Sequence, residues 1–232
     1  MLQANPVDPA EYSPQQIAAM IDHTLLKPYA MQIDIDELCE EAAQNEFASV
    51  SINPVWASYC AKRLANTNVG INATVGFPLG ANTAHVKMEE AIEAVRNGAT
   101  ELDMVINIGA LKSGFPSYVE REIESIVKAV PKIPVKVILE TSYLSEPEKV
   151  AVCEMCLRAK AAYVKTSTGF GDHGATVEDV ALMRSVVGSA LGVKAAGGVR
   201  SYKDVLNMIR AGANRVGTSA SLSILAEMRQ NG

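Results

Sequence analysis

The segment Arg158-Ala-Lys-Ala-Ala-Tyr-Val-Lys165 carries the pattern that decides the fold. It runs from the end of a helical pattern, through a turn of small residues, into a β-like run that closes on a lysine. Two other stretches have the same form, Arg96-Asn-Gly-Ala-Thr-Glu-Leu-Asp103 and Arg210-Ala-Gly-Ala-Asn-Arg-Val-Gly217. In each stretch the last residue follows the arginine by seven positions. We therefore expect the three end residues to lie at similar heights on parallel strands.

Around these repeats, β-like runs alternate with helical patterns along the whole chain. The predicted strands are Ile21–Leu25, Ala48–Ile52, Ile71–Gly76, Glu101–Ile106, Val135–Glu140, Tyr163–Ser167, Val193–Ala196 and Arg215–Thr218. The predicted helices between them are Asp34–Asn45, Pro54–Ala65, Ala84–Asn97, Ser117–Val130, Glu146–Ala161, Val177–Val187, Tyr202–Ala211 and Ser221–Arg229. A further helix is predicted over Pro14–Met20, with Ser13 as its N-cap. Eight strand-helix repeats predict an α/β protein, a single (β/α)8 TIM barrel over residues 1–232 with an extra N-terminal helix.

Composition excludes several functional classes. Hydrophobic residues make up 48% of the chain and charged residues 20%, as in a compact globular protein. The net charge of −5 provides no electrostatic footprint for nucleic acid. No apolar run approaches the ~18 residues of a membrane span, and the stretch Met1–Pro6 lacks the pattern of a signal peptide. We expect no nucleic-acid or membrane partner and a cytoplasmic location.

The cysteines and histidines give no metal-site spacing. Cys153 and Cys156 form a CxxC inside a helical pattern, and no second Cys/His pair accompanies them. This pattern favours core packing over metal binding or redox chemistry, and no cofactor is expected. His23, beside Asp22, either lines a site or has a structural role.

Lys165 and Lys194 are the candidate catalytic residues. They lie 29 residues apart, each near the end of a β-like run, which is about one β-helix-β unit. Two ammonium groups about 4 Å apart repel each other by roughly 4 kcal/mol at an effective dielectric near 20. Such repulsion lowers a lysine pKa and yields the neutral amine that a Schiff-base nucleophile requires. The alternative is that both are ordinary strand-end charges.

Carboxylates lie on strands that should face the same interior. If Asp103 points into the barrel, it meets both lysines and serves in proton transfer. Asp22, on the first predicted strand, adds a second acid nearby. For Glu101 and Lys136 we favour a purely structural ion pair lower in the barrel.

Glycine-rich segments follow the last three predicted strands: Thr166–Gly169, Gly197–Arg200 and Gly217–Ser219. Barrels commonly bind phosphate with the loops after strands 7 and 8, through backbone N–H groups and a helix N-terminus. Any one of these glycines could serve only a turn. Together they predict a phosphate site beside the two lysines.

At this point the chain resembles a known family. Asp22-His23-Thr24-Leu25-Leu26-Lys27-Pro28, Glu101-Leu102-Asp103, Val164-Lys165-Thr166-Ser167-Thr168-Gly169-Phe170 and Lys194-Ala195-Ala196-Gly197-Gly198-Val199-Arg200 are similar to the motifs of the deoxyribose-phosphate aldolase family. The resemblance runs from about Ile21 to Leu225. It implies a metal-independent class I aldolase that reversibly cleaves 2-deoxy-D-ribose 5-phosphate into acetaldehyde and D-glyceraldehyde 3-phosphate. The only expected partners are this small phosphosugar and a possible second copy in a homodimer.

The same resemblance implies a role for each matched residue. Lys165 would form the Schiff base, Lys194 would perturb its pKa, and Asp103 would share proton transfer. Sugar contacts would come from Asp22 and Thr24. Phosphate contacts would come from Gly169, Gly197, Gly198, Gly217 and Ser219.

The chain departs from the family pattern at three places, where it has Ala220 in place of a common serine, Ser51 in place of a cysteine, and no C-terminal tyrosine. Two other readings of the site stay open. One is a different Schiff-base barrel enzyme, such as a transaldolase-like or ketose-phosphate aldolase. The other is a non-catalytic barrel that binds phosphosugars and uses its lysines only as anion ligands.

Overall fold

Eight parallel strands close into one barrel, pairing in sequence order from β1 to β8 and back to β1. The protein is represented by a computed structural model that describes residues 8–231. The strands are β1 Ile21–Leu25, β2 Ser49–Ile52, β3 Gly70–Val75, β4 Glu101–Val105, β5 Val135–Ile138, β6 Tyr163–Lys165, β7 Gly192–Ala196 and β8 Arg215–Thr218. Every predicted strand is present, and the predicted (β/α)8 TIM barrel is confirmed.

Ten α-helices accompany the strands in the described part of the chain. They are α1 Pro14–Ala18, α2 Gln32–Asn45, α3 Ala57–Arg63, α4 Ala84–Arg96, α5 Ile108–Lys112, α6 Pro116–Ala129, α7 Glu146–Ala159, α8 Val177–Val187, α9 Tyr202–Arg210 and α10 Ser221–Asn231. Short 3-10 turns occur at Pro9–Glu11, Pro54–Trp56 and Thr141–Tyr143. Within these residues no helix has the length and apolar character needed to cross a membrane.

Side-chain alternation along the strands separates an apolar layer from a polar interior. On β7, Val193 and Ala195 belong to the hydrophobic core, whereas Lys194 between them joins the buried polar groups. On β5, Val135 and Val137 are core residues, and Lys136 is buried among charges. Successive side chains point to opposite faces of a strand. The apolar side chains therefore pack between the sheet and the surrounding helices, and the polar side chains fill the interior of the barrel.

The N-terminal helix begins as its sequence predicts. Ser13 is the N-cap of α1: its hydroxyl accepts the N–H of Gln16, whose side chain accepts the N–H of Ser13 in return. Such a capping box satisfies two of the helix N–H groups that lack an intrahelical partner. The helix ends at Ala18, two residues earlier than predicted.

Several predicted boundaries are wrong. The predicted helix Pro54–Ala65 is a 3-10 turn followed by α3. The five-residue helix α5, capped by the side chain of Asn107, was not predicted. Strand β5 stops at Ile138 instead of Glu140, because Glu140 adopts the left-handed conformation, with φ 57°.

The remaining expectations concern cysteines and the chain ends. All four cysteines are free and buried, so the CxxC on α7 packs in the core as predicted. The stretch Met1–Pro6, which carried the expectation of no signal peptide, lies outside the described residues. Gly232 also lies outside the described residues. It belongs to the C-terminal segment, which contains no tyrosine.

Candidate active site

The two candidate lysines meet at one carboxylate oxygen. Lys165 on β6 and Lys194 on β7 are partners in the strand register, and both side chains are almost fully buried. The Nζ of Lys165 lies 2.6 Å from Oδ2 of Asp103, and the Nζ of Lys194 lies 2.8 Å from the same oxygen. The structure therefore brings together the three residues that the sequence predicts to be catalytic.

Burial sets the protonation of Lys165. The pKa of Lys165 falls from 10.5 to about 8, mainly because desolvation disfavours the ammonium form. Asp103 opposes this and raises the pKa, while the charge of Lys194 lowers it further. Repulsion between the lysines, the expected cause, thus contributes less than burial does.

Asp103 stays ionised although it is fully buried. Burial alone would raise the pKa of Asp103, but the neighbouring Lys165, Lys194 and Lys136 hold it well below its usual value. The nearest atoms of Lys136 and Asp103 are 3.3 Å apart. Asp103 is therefore a fixed negative charge between three amines.

The predicted Glu101–Lys136 pair exists, but it is not an isolated structural pair. Lys136 lies 2.5 Å from Glu101 and also 3.8 Å from Asp22. Arg215, at the start of β8, contacts Asp22 at 2.7 Å and Glu101 at 3.2 Å. One continuous network of ion pairs therefore extends from Arg215 up to Lys165.

Sequence reasoning did not identify Arg215 as part of this network. A signal was nevertheless available, because Arg215 and Gly217 alternate on the same strand and Gly217 was expected to face the site. Sequence reasoning also missed Asn72 on β3. Its side-chain oxygen accepts a hydrogen bond from the Nζ of Lys136 at 2.9 Å.

Asp22 and Thr24 on β1 were predicted to contact the sugar. The Asp22 carboxylate is fully buried, contacts Lys194, and accepts a hydrogen bond from Ser49 at 2.8 Å. Burial alone would raise the pKa of Asp22, but Lys194, Lys136 and Arg215 lower it below its ordinary value. Thr24 is partly exposed and donates its hydroxyl to the Asp22 carbonyl at 2.8 Å. Of the two, Thr24 is nearer to the solvent side.

The predicted phosphate residues lie on three loops at the carboxyl ends of the strands. Gly169, Gly198 and Ser219 are exposed there, and Gly197 is half-buried. Among residues 8–231, the backbone N–H groups of these four donate no hydrogen bond to the protein. Such N–H groups are available to an anion.

Gly217 has a different setting from the other four. It is buried in β8, and a Cβ at this position would lie 3.1 Å from Cε of Lys194. This glycine therefore makes room for the Lys194 side chain.

His23 lies outside the polar interior. Its Nδ1 is 2.8 Å from the hydroxyl of Ser221 at the start of α10, and its Nε2 is 2.6 Å from Glu41 on α2. Its ring packs on Phe47, with centroids 5.0 Å apart. Of the two roles left open for His23, the structure favours the structural one.

An aromatic pair that the sequence analysis did not single out borders Lys165. The Nζ of Lys165 is 6.0 Å from the ring centroid of Phe77, and the rings of Phe77 and Phe170 meet edge to face at 5.5 Å. This apolar wall contributes to the burial that lowers the pKa of Lys165.

No group of three or more His, Cys, Asp or Glu side chains in the described residues is arranged to hold a metal ion.

Replacing Lys194 by methionine is expected to raise the pKa of Lys165 above its value of about 8, because a charge that lowers it is removed. Each unit of upward shift lowers the neutral fraction at pH 7 about tenfold. The midpoint of the rise of kcat/KM with pH, measured between pH 6 and 10, should move to higher pH. An unchanged midpoint would show that the two amines are not electrostatically coupled.

The sequence and the fold are similar to those of known aldolases. The model of the DeoC/LacD family aldolases matches residues 16–226. A deoxyribose-phosphate aldolase of Caldanaerobacter subterraneus subsp. tengcongensis is 56% identical over 225 residues, covering 96% of this chain and 97% of that protein. One from Thermoanaerobacter sp. strain X514 is 56% identical over 214 residues, covering 91% and 96%. The tetrameric deoxyribose phosphate aldolase structure from Aeropyrum pernix matches with a TM-score of 0.88 and 34% identity, over 95% of this chain and 94% of that one.

Proposed function

Because the chain belongs to the DeoC/LacD family of aldolases, we propose that it reversibly cleaves 2-deoxy-D-ribose 5-phosphate into acetaldehyde and D-glyceraldehyde 3-phosphate. The observation that carries the proposal is the Lys165 amine, whose pKa is lowered to about 8 and which lies 2.6 Å from a buried carboxylate. At pH 7 a pKa of 8 leaves about one amine in ten neutral, which is enough for nucleophilic attack on a carbonyl.

The reaction begins when the neutral amine of Lys165 attacks the aldehyde carbon C1 of the open-chain sugar. Loss of water from the carbinolamine gives a protonated imine, which withdraws electrons from the C2–C3 region. The hydroxyl on C4 is not affected, whereas the hydroxyl on C3 loses its proton as the bond between C2 and C3 breaks. Carbons C3 to C5 leave as D-glyceraldehyde 3-phosphate. The electrons of the broken bond remain with C2, and the two-carbon fragment on Lys165 becomes an enamine.

Protonation of the enamine carbon and hydrolysis of the resulting imine release acetaldehyde and restore Lys165. Asp103 and Lys194 lie next to Lys165, and in this proposal they donate and accept the protons that the reaction requires. Where the reacting atom is too far for direct transfer, a water molecule carries the proton. Asp103 also offsets the positive charge of the imine. Each step is reversible, so the same groups serve synthesis.

The substrate's other end is assigned to the mouth of the barrel. We assign the phosphate to the loops of Gly169, Gly197, Gly198 and Ser219, whose N–H groups donate no hydrogen bond within residues 8–231. Gly217 is assigned a different role, because its missing side chain leaves space for Lys194. Thr24 and, through the network, Asp22 are assigned to the sugar hydroxyls. No metal or other cofactor takes part, because the protonated imine supplies the electron withdrawal.

The proposal extends to the organisation of the protein. We propose one barrel domain over residues 1–232, a cytoplasmic location and assembly as a homodimer. A tetrameric relative is described from Aeropyrum pernix, so the number of subunits is best measured directly, by light scattering.

Borohydride trapping tests the function. Acetaldehyde with borohydride should add one ethyl group to the protein, and peptide mapping should locate it on Lys165. 2-Deoxyribose 5-phosphate should release acetaldehyde, also in the presence of EDTA. Products of the dihydroxyacetone type would indicate a ketose-phosphate aldolase. Loss of activity in EDTA would indicate a metal-dependent aldolase. Absence of the label would indicate a non-catalytic barrel that binds phosphosugars.

A further inference from the structure

Glu140 is a buried carboxylate that the mechanism does not use. It follows β5 and is 1% exposed. Its backbone has φ 57° and ψ 67°, a left-handed conformation that residues other than glycine rarely adopt. A strained residue of this kind persists only where its surroundings hold it, and such residues cluster at functional sites.

The contacts of Glu140 lead to the loop after the neighbouring strand, between β6 and α8. Its Oε2 accepts the backbone N–H of Thr168 at 3.1 Å and also the Thr168 hydroxyl. The same hydroxyl accepts the N–H of Phe170 at 3.0 Å. One carboxylate therefore fixes the residues on both sides of Gly169, and the hydroxyl of Thr168 is needed as donor and acceptor at once.

The loop is pressed closely against Glu140. A Cβ on Gly171 would lie 2.9 Å from both Oε1 of Glu140 and Oγ of Ser142. Within residues 8–231, these two oxygens are buried and have no hydrogen-bond partner. The carboxylate thus holds the loop through Oε2 alone, and Oε1 lies against the passing backbone.

Gly169 is the residue whose orientation this arrangement sets. It has φ 89°, and its N–H donates to no acceptor in the described part of the chain. It also lies close to the neighbouring loop, since a Cβ on Gly197 would approach the Cα of Gly169 to 3.4 Å. Rotation of the peptide between Thr168 and Gly169 would change the direction of that N–H.

We propose that Glu140 is a positioning residue that acts through Thr168 to hold the Gly169 N–H ready for the phosphate group of the substrate. This rests on the proposed function. Preset N–H groups bind an anion without the cost of ordering the loop at the moment of binding. A bond to a carboxylate is stronger than one to a neutral acceptor, so a buried glutamate suits this purpose.

The test compares phosphorylated with unphosphorylated 2-deoxyribose in four variants. Thr168→Val keeps the shape of the side chain and removes the hydroxyl, and Glu140→Ala removes the carboxylate. Thr168→Ser retains the hydroxyl. Glu140→Gln retains an oxygen for both Thr168 bonds and places its amide beside Ser142.

We expect Thr168→Val and Glu140→Ala to lower kcat/KM for the phosphorylated sugar about 10- to 100-fold, mainly through KM, as loss of a charge-assisted hydrogen bond would. For unphosphorylated 2-deoxyribose the change should stay within about threefold, because no phosphate is bound. Thr168→Ser should retain most of the discrimination, and Glu140→Gln, which keeps the acceptor oxygen without its charge, should lie between the wild type and Glu140→Ala. The inhibition constant of inorganic phosphate against cleavage of the unphosphorylated sugar should rise by the same factor as KM.

The double variant Glu140→Ala/Thr168→Val distinguishes a relay from two separate effects. If Glu140 acts through Thr168, the double variant loses no more than Glu140→Ala alone, because Thr168→Val leaves the bond from the Thr168 N–H to Glu140 in place. Additive losses, equal losses for both sugars, or unchanged kinetics would overturn the proposal while leaving the aldolase function intact. If the wild-type protein does not cleave 2-deoxyribose 5-phosphate at all, the proposed function fails first and this role fails with it.

Discussion

Replacing Lys165 by arginine is expected to lower kcat/KM by about 10⁴-fold or more, because a guanidinium stays protonated and cannot form an imine. The residual rate should show no rise with pH near 8, the pKa of the Lys165 amine. Steady-state assays of acetaldehyde release between pH 6 and 10 would measure both effects. Borohydride trapping should also leave the variant unlabelled.

The control for this variant is Lys165→Met, which removes the amine without adding bulk. Lys165 is almost fully buried beside Asp103 and Phe77, so arginine could disturb the packing, whereas methionine fits an irregular apolar gap. Both variants should give the circular dichroism of the wild type. A methionine variant that still cleaves the sugar, or an ethyl label on Lys194 or Lys136, would reverse the assignment of the nucleophile.

Replacing Asp103 by asparagine is expected to lower kcat about 10²- to 10⁴-fold, the usual cost of losing a positioned acid-base group. It should also lower the pKa of Lys165 below about 8, because the Asp103 charge raises that pKa. The midpoint of the pH profile of kcat/KM would then move to lower pH. This direction is opposite to the one expected for Lys194→Met, so the pair of variants separates the two charges.

The same variant should be less stable. Asp103 offsets three buried ammonium groups, and removal of one partner from a buried ion pair typically costs about 3–5 kcal/mol. The pKa of Asp103 is lowered below 3.8 in the folded protein, so its contribution is complete at neutral pH and declines only as the pH falls below that value. Urea unfolding of both proteins at pH 7 and pH 3.5 would measure the gap. A gap that widens in acid would contradict this account.

Much of the site follows from strand alternation. Lys165 and Asp103 share the same offset from a helix-end arginine, and alternation on β4 and β6 turns both side chains inward. Lys194 follows from its spacing of one β-helix-β unit. These inferences succeed because the period of a strand and the geometry of a closed barrel leave few alternatives.

What could not be predicted depends on contacts between distant segments. The end of β5 is set by the conformation of Glu140, and that depends on Thr168, 28 residues further on. The membership of Arg215 in the ion-pair network depends on carboxylates from β1 and β4. Propensity and periodicity act over a few residues and contain no information on such partners.

The network beneath Lys165 has a simple charge balance. It contains three carboxylates, on Asp22, Glu101 and Asp103, and four basic side chains, on Lys136, Lys165, Lys194 and Arg215. With Lys165 neutral, the charges of this network sum to zero; with its ammonium or its protonated imine, the network carries one positive charge. The covalent intermediate therefore returns the network to its charge with Lys165 protonated, and the surrounding dipoles need not reorganise to accept it.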